Sequence, residues 1–439
     1  MARSPDAFPA SDDLGSERQL RGRSPVSRRS SRDRGSVVPP AGVAMIRTEQ
    51  GKKGGKRMNV RQQKSLIPTA ADGVVLECGR VVSNLLLLTV LVMLTACGGW
   101  RPSASTFGGG SGTKDDPYLI ATETHLRNVG INSLYFDGKY LLLTADITLS
   151  GPLCPIGADL HGFGGIFDGG GHTISELTAT TKCPEYGGLF GVINQNGQIR
   201  NLTVETSTEE IATPHQWAAR TGAIASFNMG RIENCTSRGL LKNGEILGGI
   251  VGVNKGIIRD CTNYATIEVK KQEGEGGIAS GGGIAGASMT VGALLDEVVV
   301  SGSLNKGRVT VEGNHTAKAG GIVASCSGSS RIEDCVNEGS VSARARKRAY
   351  GESDVYVGGV VGLIEAGATA ERCVNRGKVG ATGHENVYMS GIAGKIRGAK
   401  LIECRNEDVV RAKGNPGRQG VAVGSERLEN TISNSGKPR

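Results

Sequence analysis

The chain reads as an all-β parallel solenoid, and three observations predict it. A Gly-rich apolar block recurs seven times: Gly187-Gly188-Leu189-Phe190-Gly191, Thr221-Gly222-Ala223-Ile224-Ala225, Gly248-Gly249-Ile250-Val251-Gly252, then the copies at Gly282, Gly320, Gly358 and Ser390. A second block follows each copy, apolar-x-x-Cys-x-Asn-x-Gly-x-Val, clearest at Ile332 to Val341 and Ala370 to Val379. The two stay in order at a loose spacing of roughly 30 residues, the range of stacked repeat units. Gly makes up 68 of 439 residues, about twice the usual share, and it follows this pattern.

Each repeat element is too short and too Gly-rich for a helix. Ile/Val pairs bounded by Gly and Asn-x-Gly turns read as two or three short strands per unit. One such unit cannot enclose a core, but stacked units can. Ile, Val and Leu are then expected inside as ladders. Gly is expected at corners that need positive φ or close approach.

Residues 112–186 do not repeat and form an N-terminal cap with the first coils, covering the apolar end that a solenoid otherwise exposes. Gly112 to Ile120 reads as a turn and a strand. Thr122 can cap a short helix through Val129, with Glu123 at its positive end. Tyr140 to Ile147 is a further strand, and Phe163 to Ile174 carries Phe167-Asp168-Gly169-Gly170-Gly171-His172-Thr173-Ile174. The repeats occupy 187–412, and 413–439 is a tail.

Upstream, Leu85 to Leu94 is an apolar tract that runs into Thr95-Ala96-Cys97-Gly98. It is shorter than the ~20 residues of a spanning helix and suits a signal h-region. Residues 76–97 resemble a bacterial lipoprotein signal peptide, which implies lipid on Cys97 and a membrane partner reached through that anchor. Gly98 follows Cys97 where an inner-membrane retention Asp stands in some bacteria, so the resemblance points to an outer-membrane lipoprotein of the bacterial envelope, exposed at the surface. Residues 98–111 are a Gly-rich linker. Residues 1–75 are basic and without apolar period, a disordered leader. They are either a start assigned too far upstream, with Met58 or a later codon the real one, or a genuine long leader.

The charge follows the same division. The chain is +9 overall, but 16 Lys/Arg against 8 Asp/Glu lie before Cys97, leaving 35 against 34 after it. The repeat region lacks the basic excess that nucleic-acid binding needs, so no nucleic-acid partner is expected.

The phrases Gly-Thr-x-x-Asp-Pro-Tyr-x-Ile, Phe-Asp-Gly-x-Gly-His-Thr-Ile, Gly-Gly-Leu-Phe-Gly and Gly-Gly-Ile-Val-Gly resemble bacterial GLUG-motif proteins, including the non-catalytic repeat region of some immunoglobulin A proteases. The resemblance covers about residues 112–410. It implies a right-handed parallel β-helix on a secreted or surface-attached protein, and little about activity.

Chemical motifs are sparse. Cys235, Cys261, Cys335, Cys373 and Cys404 share one repeat position with Leu202 and Ser303, which reads as a small interior slot rather than a ligand set. No Cys-x-x-Cys supports zinc, and neither metal nor cofactor is expected. Cys154 and Cys183 are the one pair considered for a disulfide. His384-Glu385-Asn386-Val387-Tyr388 lacks the second zinc-ligating His of a protease helix. Gly281-x-Gly283-x-x-Gly286 has no helix after it and is a repeat copy. His172 beside Asp168 reads as a turn pair.

Four insertions, Glu205 to Arg220, Lys270 to Ser280, Ala343 to Asp354 and Gly380 to Met389, fall at one place in the repeat and should leave one edge of the stack. Loops on a rigid scaffold are where binding concentrates. The candidates are His215, Gln216 and Trp217 in one loop, and Arg344, Arg346, Lys347, Arg348 and Tyr350 in another. The basic loop suits an anionic glycan. The expected function is a non-catalytic adhesin or envelope-binding scaffold whose partners are a host-matrix protein, a mucin or an envelope glycan. The alternative is a carbohydrate-active β-helix enzyme of lyase or hydrolase type, whose carboxylates would cluster in one groove.

Overall fold

The computed structural model describes residues 106–408, apart from 160, 179–182, 184–185, 207–219, 243, 272–277, 291–296, 347–352 and 384–385, and beyond 408 the strands 410–413, 418–420 and 433–434. These residues form a right-handed parallel β-helix with one α-helix in its cap.

A coil contains five strands, not two or three. In one coil they are Thr316–Gly320, Val323–Ser327, Ser330–Glu333, Val336–Asn337 and Val341–Ala345. Each pairs in parallel with its counterpart one coil on, as Thr316 with Asp354 or Val323 with Val361. The first three faces are sheets of 8, 7 and 10 strands; the fourth and fifth merge into one of 15, because Thr236–Lys242 belongs to both.

The cap matches its sequence. The Thr122 hydroxyl accepts the His125 N–H at 3.2 Å and starts the helix Glu123–Val129, which buries Leu126 and Val129. The Tyr140 to Ile147 stretch is two strands, Tyr140–Leu143 and Ile147–Thr148. Asp146 between them turns the chain, accepting the Thr173 N–H at 2.9 Å and facing His172 Nδ1 at 3.1 Å.

Ladders of like residues fill the interior. On the third face Phe167, Ile199, Ile232, Ile258, Val300, Ile332, Ala370 and Leu401 stack in register, all buried. The cysteine slot is as expected: Cys235, Cys261, Cys335, Cys373 and Cys404 are fully buried, with Leu202 and Ser303 in the same slot. The Cys335 thiol donates to Glu333 O at 3.2 Å and Val300 O at 3.5 Å, and the Ser303 hydroxyl replaces a thiol by donating to Ser301 O at 3.0 Å. Burial pushes the Cys261 thiol well up from its usual value, as it does Cys326, pushed up to about 12. These thiols are interior packing, poorly suited to nucleophilic work.

The repeat asparagines form a second ladder. Asn263, Asn305, Asn337 and Asn375 are fully buried and Asn406 nearly so. Each of the first four donates Nδ2 to the next Oδ1 at 2.7 Å. The same amides donate to the carbonyl two residues on, as Asn337 to Gly339 O at 2.9 Å.

The glycines of the Gly-Gly pairs do not sit in the left-handed region, except Gly188. That conformation falls on the residue before the cysteine slot: Asn201, Asn234, Asp260, Asp334, Arg372 and Glu403, with φ between 49° and 53°, and Gly302. Asn and Asp tolerate it best. Arg372 holds it while its guanidinium grips both oxygens of Asp334, at 2.7 and 2.9 Å.

Cys154 and Cys183 are joined by a disulfide, 29 residues apart in sequence with Cα atoms 5.6 Å apart. It closes a loop within the cap and first coils. Closing a loop of that length stabilises by about 3.6 kcal/mol in the chain-entropy account. Replacing both cysteines by Ser should therefore lower stability in urea by about 3.6 kcal/mol. Reduction of the wild type should reproduce that loss, and a bridge-free wild type by mass analysis would refute the assignment.

Candidate functional site

The insertions leave at one corner, between the fifth and first faces. On the fifth face Lys270, Glu312, Arg344 and Thr382 lie in register just before that corner. On the first face Ile278, Thr316, Asp354 and Asn386 lie in register just after it. A further interruption, 291–296, lies at another corner, between Ala285–Met289 and Val298–Ser301; the sequence pattern did not single it out.

Cys97, His215, Gln216, Trp217, Lys347, Arg348 and Tyr350 lie outside the described residues, as do His384 and Glu385. Arg344 and Arg346 are placed, and their setting corrects the expectation of a free basic loop from Ala343 onward. Arg344 belongs to the strand Val341–Ala345, because the register with Val309–Gly313 carries on through Ala345. Both guanidiniums converge on Glu312: Arg344 Nη2 at 2.7 Å and Arg346 Nη2 at 2.9 Å from the same Oε1. Glu312 is largely buried and Arg346 partly so, whereas Arg344 is mostly exposed. Beside them a depression of about 300 Å³ opens over the fifth face, floored by Thr310, Ser342 and Gly380 and edged by Glu312, Arg344 and Thr382.

Burial works to raise the Glu312 carboxyl, but hydrogen bonds and charge from Arg344 and Arg346 outweigh it and leave its pKa below the usual carboxylate value. A depressed folded-state pKa stabilises the fold above the unfolded value and ceases to do so as pH falls through the folded one. The wild type should therefore be more stable than Glu312→Gln above about pH 4.5. Melting curves taken from pH 6 downward should converge below that point, and a constant gap would refute this account.

The other acidic groups singled out also have cationic or amide partners. Asp168 does not pair with His172; it accepts Arg200 Nε at 2.7 Å, Asn201 Nδ2 at 3.0 Å and the Gly170 N–H at 3.0 Å. Burial tends to raise it, but these donors leave it below its ordinary value. The bond to the Arg372 guanidinium lowers Asp334. General acids need raised values, so these carboxylates are held in the opposite direction. Gly281 to Gly286 lies in two strands, Ile278–Gly282 and Ala285–Met289, with no helix after the glycines.

One cluster escaped the sequence reading. Outward positions of the first and second faces look at each other across the bend at each Gly-Gly pair. In the early coils Tyr186 meets Phe227 edge-on, with centroids 6.1 Å apart, and Arg220 lies 5.1 Å from the Phe227 centroid. In the late coils Tyr356 and Tyr388 stack at 5.2 Å with planes 8° apart, and Lys395 Nζ stands 3.7 Å from the Tyr388 centroid. The signal was a Tyr two residues before the first small residue of two successive copies, in Asp354-Val355-Tyr356-Val357-Gly358 and Asn386-Val387-Tyr388-Met389-Ser390.

No family model matches the chain. A protein of Evansella cellulosilytica, provisionally named a Gly-rich membrane protein, is 36% identical over 141 residues, 30% of this chain and 16% of that protein. Halomucin of Haloquadratum walsbyi is 31% identical over 154 residues, 33% of this chain and 2% of that protein. The matched segments are thus a small part of both relatives. A 1.30 Å crystal structure from Bacteroides ovatus, of a protein provisionally named an immunoglobulin A1 protease, superposes with a TM-score of 0.43 and 20% identity, covering 71% of this chain and 80% of that one. A likeness at that level carries no activity across.

Proposed function

We propose that this chain is a non-catalytic binding scaffold of the bacterial envelope, an adhesin-like surface lipoprotein tethered through Cys97. The observation that carries the reading is the common corner: insertions of differing length leave a stack of near-identical coils at one edge. That is how a rigid scaffold presents variable recognition loops. The names of the two partial relatives, one a membrane protein and one a halomucin, support an envelope setting. So does the Cys154–Cys183 bridge, since disulfides persist in oxidising compartments. The partners this reading favours are host-matrix proteins, mucins and envelope glycans.

Three measurements test it. Radiolabelled palmitate should enter the wild type and not Cys97→Ser, and protease added to intact cells should cut the repeat region. The purified repeat region should then bind at least one member of a panel of matrix proteins, mucins and envelope glycans. A lipidated, surface-exposed protein that binds none of them would overturn the scaffold reading.

A further inference from the structure

The bend between the first and second faces in the late coils holds a cluster in which Tyr356 and Leu363 are buried and Lys318, Tyr388 and Lys395 half-buried. Lys318, Tyr356 and Tyr388 occupy one register position in three successive coils. Across the bend, Leu363 and Lys395 share the facing position, with Glu365 and Arg397 in register beside them. The nearby carboxylates are engaged. Asp354 accepts the Tyr356 hydroxyl at 2.7 Å and Asn386 Nδ2 at 3.0 Å, and Glu365 accepts Arg397 at 3.3 Å.

Lys318 is different. It is half-buried, and its ammonium makes no hydrogen bond or ion pair among the described residues. Burial lowers its pKa, with the Glu365 charge opposing that shift. Holding an ammonium partly out of water with no partner costs free energy, and an arriving anion would remove that cost. Tyr388 stacks on Tyr356 within the ladder, and its register partner one coil on is Gly420. Lys395 adds a second ammonium beside the same ring.

We propose that this outer angle is a binding subsite for an acidic polysaccharide, with Tyr388 as the stacking platform for a pyranose and Lys318 and Lys395 as the cations for its carboxylate or sulfate groups. Lys318 and Tyr388 are two rungs apart, about 10 Å along the axis. The subsite therefore runs along the stack and engages a chain rather than a single sugar. The inference rests on the scaffold reading, and it moves the anion-binding role from Arg344 and Arg346, whose charge Glu312 partly neutralises, to the late coils.

The test uses the full mature chain and three polymers: polygalacturonate for carboxylate, dextran sulfate for sulfate and unmodified dextran as the neutral control. The wild type should bind one or both anionic polymers and not dextran; which one binds identifies the anionic group. The double variant Lys318→Met/Lys395→Met should weaken that binding by at least about tenfold, the scale of one lost charge-assisted contact. Tyr388→Ala should weaken it by a similar factor, which charge alone does not predict. The triple variant Arg344→Ala/Lys347→Ala/Arg348→Ala should bind as the wild type does. Unchanged urea midpoints confirm that the variants fold. Loss in the loop variant with retention in the late-coil variants would overturn the subsite and leave the scaffold reading intact. So would a wild type that binds mucin or matrix protein but neither polyanion. A wild type that binds nothing in either panel would overturn both.

Discussion

Gly321→Ala should destabilise the solenoid by at least about 4 kcal/mol, at the upper end of overpacking costs. A Cβ at Gly321 would lie 2.0 Å from Gly359 O and 2.3 Å from Asn337 Cγ. One obstacle is the backbone of the next coil and the other is a buried amide bonded on two sides, so neither can yield cheaply. The same geometry recurs at Gly283 against Asn305, Gly359 against Asn375 and Gly391 against Asn406. The glycine is thus required for space, so that the asparagine ladder can lie against the bend. Gly151→Ala is the matched control: nothing lies within 4 Å of its Cβ and its φ is unremarkable, so its effect should stay within about 0.5 kcal/mol. Adding Asn337→Ser to Gly321→Ala removes one obstacle and leaves Gly359 O, so stability should not return. Urea midpoints at constant slope measure all of these. A Gly321→Ala protein that unfolds at the wild-type urea concentration would sink the account.

This steric link explains why two blocks some fifteen residues apart travel together in the sequence. The periodicity was legible because coils repeat the same packing problem, so Ile322, Cys335 and Asn337 return at matching places. The interior role of the cysteine slot was legible for the same reason, since Leu202 and Ser303 marked it as a matter of size. The reason for the Gly-Gly pair was hidden, because a glycine needed for space and one needed for positive φ look alike in sequence. The left-handed corner was hidden by its occupants: Arg372 and Glu403 are poor markers for it. The setting of Arg344 depended on Glu312, 32 residues earlier, and only the register across coils brings them together. Tyr356 and Tyr388 left a mark in two successive copies, but outward positions vary freely along the stack, so the pattern did not join Lys318 and Lys395 to them.

Asn337→Leu is expected to cost about 4 kcal/mol, from several buried hydrogen bonds lost at once. The Asn337 amide accepts from Asn305 Nδ2 and donates to Asn375 Oδ1, each at 2.7 Å, and donates to Gly339 O. Leucine removes all of these and presents branched carbons to Gly321. The ladder has one direction: from Asn263 to Asn406 every Nδ2 points to the next Oδ1. Aligned bonds of this kind polarise one another, so an interior break should cost more than a break at the end. Asn263→Leu, which breaks the ladder one rung from its Ser237 head, should therefore cost less than Asn337→Leu by 1 kcal/mol or so. Asn337→Ser should cost about 2 kcal/mol, because Ser237 already occupies the equivalent place at the head of the ladder and donates to Asn263 Oδ1 at 2.6 Å. Asn337→Asp should be the worst of the series, since it puts a carboxylate where a donor is needed, at a fully buried place facing Asn375 Oδ1 and Gly339 O. Equal losses at Asn337 and Asn263 would show the amides acting one by one, and the ladder would then be a row of separate turns rather than a cooperative spine.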